Sequence, residues 1–176
     1  MTLPNNPYNY IHIVEGGVLD IVADAVVNAA NSSLLGGGGA DGAIHRAAGL
    51  ELLAECRTLD GCRTGEAKMT GAYKFKTAKC IIHTVGPIYS GKVEDAELLA
   101  SCYRKSLDLA WTKECASIAF PCISCGVYGY PLAGAARVAL STVEEWLLEH
   151  ETAAIQIYFC CYSARELKVY RELVQE

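Results

Sequence analysis

Short apolar runs alternate with longer amphipathic stretches along the whole chain. The amphipathic stretches repeat apolar side chains every three or four residues, as the buried face of a helix does. Strands separated by helices of ten or more residues need crossover connections, so the pattern predicts a mostly parallel sheet covered on both faces. The short runs are rich in Ile, Val, Phe and Tyr and predict strands at Tyr10–Val14, Ala25–Val27, Cys80–Val85, Ser117–Pro121 and Ala153–Cys161, with Ala67–Thr70 as a weaker candidate.

The helical stretches carry recognisable start and stop signals. One runs over Ile44–Cys56 with a break near Gly49, and another follows an expected N-cap at Asp95 and reaches Trp111. A third starts at about Leu132, and the last opens on the capping-box spacing of Ser163 and Glu166 and is expected to bury Leu167, Tyr170 and either Leu173 or Val174. We therefore predict one α/β domain over residues 1–176, with its core at about 11–174. Its expected architecture is a three-layer α/β/α sandwich around a mixed, mostly parallel sheet.

Composition narrows the class of protein. The 176 residues are 52% hydrophobic and carry a net charge of -5, which excludes disorder and argues against long nucleic acid as a partner. The longest apolar run is shorter than a membrane span, and the polar segment Met1–Tyr10 has no signal-peptide pattern. Nine cysteines, an odd number, lie mostly within apolar segments. We expect a reduced, cytoplasmic protein, not membrane-associated and more readily monomeric than oligomeric.

The first glycine-rich loop follows the strand Ala25–Val27 and ends before a helix expected near Ala43. It contains Asn28-Ala-Ala-Asn31 and the four glycines Gly36–Gly39. Each glycine destabilises regular structure by up to about 1 kcal/mol relative to alanine. Four in a row therefore indicate that something must approach the backbone of this loop closely. The spacing also matches a dinucleotide-binding fingerprint, but that motif needs its first glycine in the turn directly after the strand. A Rossmann site is therefore rejected.

The second loop, Cys122–Pro131, follows the strand Ser117–Pro121. Its Ser and Gly residues precede a helix and leave backbone N–H groups to point at an anion. Neither loop contains Lys or Arg; the nearest are Arg46 and Arg137. Because ligands of parallel sheets bind at the carboxyl ends of the strands, the two loops predict a diphosphate site built from main-chain amides. A tight strand-to-helix connection without any ligand is the alternative.

Other chemistry is less well supported by the residues. The pair Cys122-x-x-Cys125 has no second cysteine pair at ligand spacing, so we expect no metal and no cofactor. His83 ends a buried strand and His45 lies within a helix, and both are expected to be structural.

Five segments together resemble a MacroD-type macrodomain, over about Ile11 to Val174. The resemblance implies binding of ADP-ribose, with the first loop around the proximal ribose and the second around the diphosphate. It further implies hydrolysis of O-acetyl-ADP-ribose and of mono-ADP-ribose esters on Asp or Glu side chains of proteins. The segments are Asn28-Ala-Ala-Asn31, Gly36–Gly39, Asp41-Gly-Ala-Ile-His45-Arg-Ala-Ala-Gly49, Ile82-His83-Thr-Val-Gly-Pro87 and Gly126-Val-Tyr-Gly-Tyr-Pro131.

The resemblance also implies roles for single residues. Asn31 would hold the proximal ribose hydroxyls, and Asp41 would orient or deprotonate the attacking water; these two are the expected catalytic residues. The alternative for Asp41 is an N-cap of the following helix. Tyr162 is a weaker candidate for flanking the base. The expected ligand-binding residues are Gly17, Val18, Asn31, Gly38, Gly39, Ala40, Asp41, Ser124, Cys125, Gly126, Val127, Tyr128 and Tyr130.

The chain departs from the family pattern at the end of the site expected to hold the base. Gly17 stands where most relatives carry an Asp that accepts a hydrogen bond from adenine, and Glu15 or Asp20 are candidate substitutes. Cys125 stands where relatives usually have Thr, and a thiol near a helix N-terminus can have a lowered pKa. Tyr162-Ser163 replaces an acidic residue that follows the aromatic in many relatives.

Three functions remain open on the sequence. The pair Asn31 and Asp41 favours an ester hydrolase. A module that reads ADP-ribose without cleaving anything needs only the two loops. A phosphatase acting on ADP-ribose 1''-phosphate is the third, and likeness of fold alone does not choose among them.

Overall fold

The computed structural model describes residues 6–175, so the first five residues of the polar N-terminal segment lie outside the described residues. Its strands are β1 (Ile11–Glu15), β2 (Ala25–Ala30), β3 (Ala67–Gly71), β4 (Cys80–Val85), β5 (Ser117–Phe120) and β6 (Gln156–Cys161). They form one sheet in the order β1-β6-β5-β2-β4-β3. Every neighbouring pair is parallel except β3 and β4, which are antiparallel. The predicted mixed, mostly parallel sheet is confirmed.

Within residues 6–175, five α-helices cover the sheet, after a short 3-10 turn at Pro7–Asn9. They are α1 (Gly39–Ala48), α2 (Leu50–Thr58), α3 (Val93–Thr112), α4 (Leu132–Glu149) and α5 (Ala164–Gln175). Helices α1 and α2 pack on one face of the sheet, and α3, α4 and α5 pack on the other. The three-layer prediction is therefore confirmed. Among residues 6–175, no helix is long and apolar enough to cross a lipid bilayer.

The two sheet faces have different chemistry. Alternate strand residues point to opposite faces, and Val27, Ile82 and Phe120 join a mostly apolar layer under α3 and α4. The opposite face, under α1 and α2, contains polar side chains among its apolar ones: Asn28, Thr70 and His83 are all buried there. Polar groups buried beneath helices need hydrogen-bond partners, and those partners lead to the candidate site.

The structure moves several predicted boundaries; the last strand, for example, begins at Gln156 instead of Ala153. Strand β2 continues to Ala30 instead of ending at Val27, which places Asn28 inside the sheet. Helix α1 begins at Gly39 instead of near Ala43, so Asp41 lies in its first turn and is not an N-cap. Asp95 is likewise inside α3, whose N-cap is Lys92.

Other sequence signals hold. Gly49, with φ of 92°, separates α1 from α2 in a conformation that favours glycine. The capping box at α5 forms in both directions: Ser163 N–H donates to Glu166 Oε2 at 3.1 Å, and Glu166 N–H donates to Ser163 Oγ at 3.2 Å. Of the apolar side chains expected on α5, Tyr170 is buried, whereas Leu167, Leu173 and Val174 are half-buried.

Candidate functional site

A cleft of about 910 Å³ lies across the carboxyl ends of the parallel strands, where the sequence predicted the site. Segments that follow β1, β2, β4, β5 and β6 all contribute to it. Both glycine-rich loops line it, as expected. The lining residues predicted from the sequence are Gly17, Val18, Asn31, Gly38, Gly39, Ala40, Asp41, Ser124, Gly126, Val127 and Tyr128.

The first loop is fastened by the side chain of Asn31. Its Nδ2 donates to the carbonyl oxygen of Gly36 at 3.0 Å, and its Oδ1 accepts from the N–H of Ser33 at 3.1 Å. The same amide nitrogen lies 3.3 Å from the position that a Cβ on Gly37 would occupy. Asn31 therefore both shapes the glycine loop and lies beside the cleft.

Asp41 is almost completely buried, yet it borders the cleft. Its Oδ1 accepts a hydrogen bond of 2.8 Å from Asn28 Nδ2. Its Oδ2 lies 3.2 Å from the position of a Cβ on Gly37, so this second oxygen faces the glycine loop. The first turn of α1 also favours a negative charge, because unpaired N–H groups point toward it. One oxygen is thus anchored and the other faces the loop that lines the cleft.

A close approach between α1 and the first loop requires glycine at position 42. A Cβ on Gly42 would lie 2.3 Å from the carbonyl oxygen of Gly37, a distance that backbone atoms do not tolerate. Because Gly42 lets the helix approach the loop, Asp41 comes within reach of the cleft.

The second loop presents free amides, as the sequence predicted. Within residues 6–175, the N–H groups of Ser124, Gly126, Val127 and Tyr128 have no hydrogen-bond partner. The loop is held in shape by other bonds, such as that from the N–H of Tyr130 to the carbonyl oxygen of Ser124 at 2.9 Å. Consecutive N–H groups pointing into a concavity form a site for phosphate oxygens without Lys or Arg.

Ser124 adopts a left-handed backbone conformation, with φ of 65°. Its hydroxyl donates to the carbonyl oxygen of Pro87 at 2.8 Å, which ties the second loop to the segment after β4. A Cβ on Gly86 would lie 2.2 Å from that hydroxyl oxygen, so glycine is required where the two loops meet. Ser124 therefore contributes its backbone to the cleft, and its side chain to the support of the loop.

Two residues predicted to bind ligand lie outside the cleft lining. Tyr130 is buried, with its ring centroid 4.9 Å from that of Tyr89. Cys125 packs against the apolar layer, and its N–H donates to the carbonyl oxygen of Cys122 at 3.3 Å. Burial raises the pKa of the Cys125 thiol to about 12, so the hypothesis of a lowered pKa is wrong. Their roles in binding stay predictions.

The far end of the cleft, which we call the distal end, is formed by Gly17, Val18, Asp20, Cys160 and Tyr162. The carboxylate of Asp20 accepts a hydrogen bond of 3.0 Å from the N–H of Gly17, which holds an acidic group at the cleft. Tyr162 is 84% exposed, and the edge of its ring lies 3.5 Å from where a Cβ on Gly17 would be. Of the two candidate substitutes for the missing acidic residue, Asp20 lines the cleft.

Sequence reasoning missed three residues around Asp41. Asn28 was assigned to the loop but is a buried anchor of the carboxylate. His45, expected to be structural, has its Nε2 3.5 Å from Asp41 Oδ1, one helical turn away. Arg46 is the single cationic side chain among the described cleft-lining residues, and it forms no ion pair within residues 6–175. For His45, the sequence did contain a signal: it follows Asp41 by four residues, a spacing that brings two side chains together on a helix.

The described residues contain no group of three His, Cys, Asp or Glu side chains arranged to hold a metal ion. The expectation of a site without metal stays a prediction.

Comparison with known proteins identifies the family. Residues 27–139 match the family model described as Macro domain. A macro domain-containing protein of Chlorobaculum tepidum is 54% identical over 163 residues, which cover 92% of this chain and 94% of the relative. The Homo sapiens ADP-ribose glycohydrolase MACROD2 is 48% identical over 168 residues, which cover 94% of this chain and 39% of that protein.

Solved structures agree with the sequence comparison. The Trypanosoma brucei macrodomain in complex with ADP-ribose superposes with a TM-score of 0.89 at 43% identity, covering 98% of this chain and 73% of that one. The Oceanobacillus iheyensis macrodomain with ADP gives 0.87 at 42% identity, covering 93% of this chain and 88% of the other. The expected macro fold is confirmed, and the chain belongs to the macro domain family.

Proposed function

We propose that this protein binds ADP-ribose and hydrolyses esters of its terminal ribose, releasing acetate from O-acetyl-ADP-ribose and ADP-ribose from modified Asp or Glu side chains of proteins. The observation that carries the proposal is a single buried carboxylate, Asp41, bordering a cleft whose opposite loop presents unpaired amides. Relatives named ADP-ribose glycohydrolase support the reaction class.

The binding part of the proposal rests on the second loop. Four unpaired N–H groups on Ser124, Gly126, Val127 and Tyr128 match the oxygens of a diphosphate. A solved relative holds ADP-ribose with the same fold. With the diphosphate there, the terminal ribose extends toward the first loop, where Asn31 and Asp41 border the cleft.

The chemical part rests on Asp41. Oδ1 of Asp41 accepts a hydrogen bond from Asn28. Oδ2, which faces Gly37, therefore remains to accept a proton from water. As that water attacks the ester, its oxygen joins one fragment and its proton reaches the departing oxygen of the other by way of Asp41. A positioned general base typically contributes about 10² to 10⁴ in rate. An ester is activated enough for this to proceed without a covalent enzyme intermediate.

The test uses a protein carrying mono-ADP-ribose on glutamate, with free ADP-ribose measured by chromatography. We expect release by the wild-type protein and a loss of at least about 100-fold in Asp41→Asn, which keeps the shape of the side chain but removes the base. Calorimetry of ADP-ribose binding to both proteins is the control, because the amide loop is unchanged.

Each other function gives its own result. Tight binding of ADP-ribose with no release by the wild-type protein identifies a reader module. Release of inorganic phosphate from ADP-ribose 1''-phosphate, without cleavage of either ester, identifies a phosphatase. Absence of detectable binding overturns the proposal as a whole.

A further inference from the structure

A line of buried polar side chains crosses the sheet from its edge to the carboxylate of Asp41. Thr70 on β3, His83 on β4 and Asn28 on β2 all point to the face covered by α1 and α2, and Asn28 and His83 are directly paired in the parallel register. The contacts are Thr70 Oγ1 to His83 Nε2 at 2.9 Å, His83 Nδ1 to Asn28 Nδ2 at 3.0 Å, and Asn28 Nδ2 to Asp41 Oδ1 at 2.8 Å.

The positions of the protons along this line follow from the chemistry of each group. A carboxylate only accepts, so Asn28 must turn its NH₂ group toward Asp41. The second proton of that NH₂ then points at His83 Nδ1, which must carry a lone pair. The remaining ring proton is therefore on Nε2 and is donated to Thr70. The hydroxyl of Thr70 donates onward to the carbonyl oxygen of Gly71 at 3.1 Å.

The opposite amide orientation is excluded by the same contacts. It would bring Asn28 Oδ1 to 2.8 Å from Asp41 Oδ1, two acceptors without a proton between them. In the orientation found, Oδ1 is buried without a partner within residues 6–175, which is a cost. The two bonds made by Nδ2 outweigh it, and one of those bonds depends on the state of His83.

The surroundings of His83 keep its ring neutral. Burial lowers its pKa to about 4, and the nearby ring of His45 acts in the same direction. The acidic side chain of Glu55 on α2 opposes this shift, and the thiol of Cys56 lies 3.9 Å from Nε2. Around neutral pH, therefore, Nδ1 is available as an acceptor.

We propose that His83 is a positioning residue for Asp41: by accepting one proton of the Asn28 amide, it directs the other to Asp41 Oδ1 and leaves Oδ2 aimed at the cleft. The proposal rests on the proposed function of Asp41 as the base. His83 does not touch the substrate, and its effect passes entirely through Asn28.

The main experiment compares His83→Leu with His83→Asn in the ester-hydrolysis assay. Leucine offers no acceptor, so the second Asn28 proton is left buried and unpaired, and one of the two bonds that fix the amide is lost. The loss of a hydrogen bond to a charged group corresponds to a decrease in rate of about tenfold or more. We expect kcat of His83→Leu to fall by that factor while KM stays within about twofold. Asparagine can place its side-chain oxygen near the position of Nδ1 and is expected to recover most of kcat.

A matched control separates positioning from loss of stability. Leu107 on α3 is fully buried on the opposite side of the sheet, and Leu107→Ala destabilises the fold through a cavity. We expect it to lower Tm without changing kcat. If His83→Leu changes kcat no more than Leu107→Ala does, or if His83→Asn recovers nothing, the positioning role is overturned.

Two spectroscopic readouts do not need catalysis, and the first of them uses only the wild-type protein. Long-range ¹H–¹⁵N correlation spectra are expected to show His83 protonated on Nε2 and unprotonated on Nδ1 from pH 8 down to pH 5. Side-chain amide protons of Asn28 are expected to exchange with solvent at least tenfold faster in His83→Leu. A proton on Nδ1, or unchanged exchange, overturns the proposal. Absence of hydrolysis by the wild-type protein, with these spectra as expected, overturns the proposed function instead.

Discussion

The reactive end of the cleft and its distal end are built in different ways. At the reactive end, Asp41 and Asn28 are almost fully buried, and Asn28 Nδ2 bonds to Asp41 Oδ1 at 2.8 Å and to His83 Nδ1 at 3.0 Å. At the distal end, Tyr162 is 84% exposed and Gly17 contributes no side chain. The difference shows that the structure controls the position of one carboxylate closely and leaves the distal end of the cleft open to solvent.

The largest effect expected at the reactive end is a dependence of stability on pH. The folded pKa of His83, about 4, lies below its ordinary value of 6.5, so the unfolded chain binds more protons between these pH values. Stability is therefore fully present above pH 6.5 and is lost as pH falls toward 4. A pKa lowered from 6.5 to about 4 corresponds to about 3 kcal/mol of stability.

Urea denaturation of the wild-type protein and of His83→Asn, measured from pH 8 to pH 4, checks this prediction. The carboxylates titrate in both proteins, so the difference between the two curves isolates His83. Curves that remain parallel throughout would show that the histidine is not kept neutral by the fold.

The next effect concerns the contact between α1 and the first loop. Gly42→Ala places a Cβ 2.3 Å from the carbonyl oxygen of Gly37 and must push the helix and loop apart. We expect a loss of about 1 to 3 kcal/mol in the free energy of unfolding, together with a fall in kcat as Asp41 moves. Gly38→Ala is the matched stability control, because a Cβ there meets no atom within 4 Å and φ is -90°. Equal stability of the two variants would contradict the close approach.

A smaller effect is expected at the distal end. Gly17→Asp adds a carboxylate beside Asp20 and Tyr162, where the Cβ meets only ordinary contacts at 3.5 Å or more. A new hydrogen bond from the base to this carboxylate should tighten ADP-ribose binding by about tenfold or more. Calorimetry compares it with Gly17→Ala, which adds the Cβ but no acceptor. Equal affinities of the two variants would mean that the base does not reach this position.

The smallest effect is expected for Arg46, which borders the reactive end and has no ionic partner within residues 6–175. Hydrolysis of an ester on a protein side chain releases a carboxylate. The guanidinium of Arg46 should favour this reaction because it attracts the negative charge that forms. Arg46→Ala is expected to lower kcat/KM by up to about fivefold at low ionic strength, the range of an exposed charge pair, and by less in high salt. Arg46→Lys retains the charge and should lose less. A decrease independent of salt would assign Arg46 a packing role.

The layout of the sheet was predictable because burial of apolar side chains has a period that the chain displays directly. Strand β4, for example, has the bounds Cys80–Val85 in prediction and structure alike. The ends of β2 and α1 were not predictable, since Asn and Gly favour turns and loops in isolation. Asn28 nevertheless continues a strand, because His83 and Asp41 supply the partners that its buried amide needs.

The amino-acid sequence by itself determined the three layers, the two loops at the carboxyl ends of the strands and the presence of Asp41 near a cluster of glycines. Those features depend on local propensity and on the spacing of apolar residues, which are written along the chain. Only the tertiary structure decided which polar groups meet: Asn28 against Asp41, His83 behind Asn28, and Cys125 turned into the apolar layer. These contacts form between β2, β4 and α1, which are separated along the chain. No local sequence pattern specifies the direction in which a buried amide points.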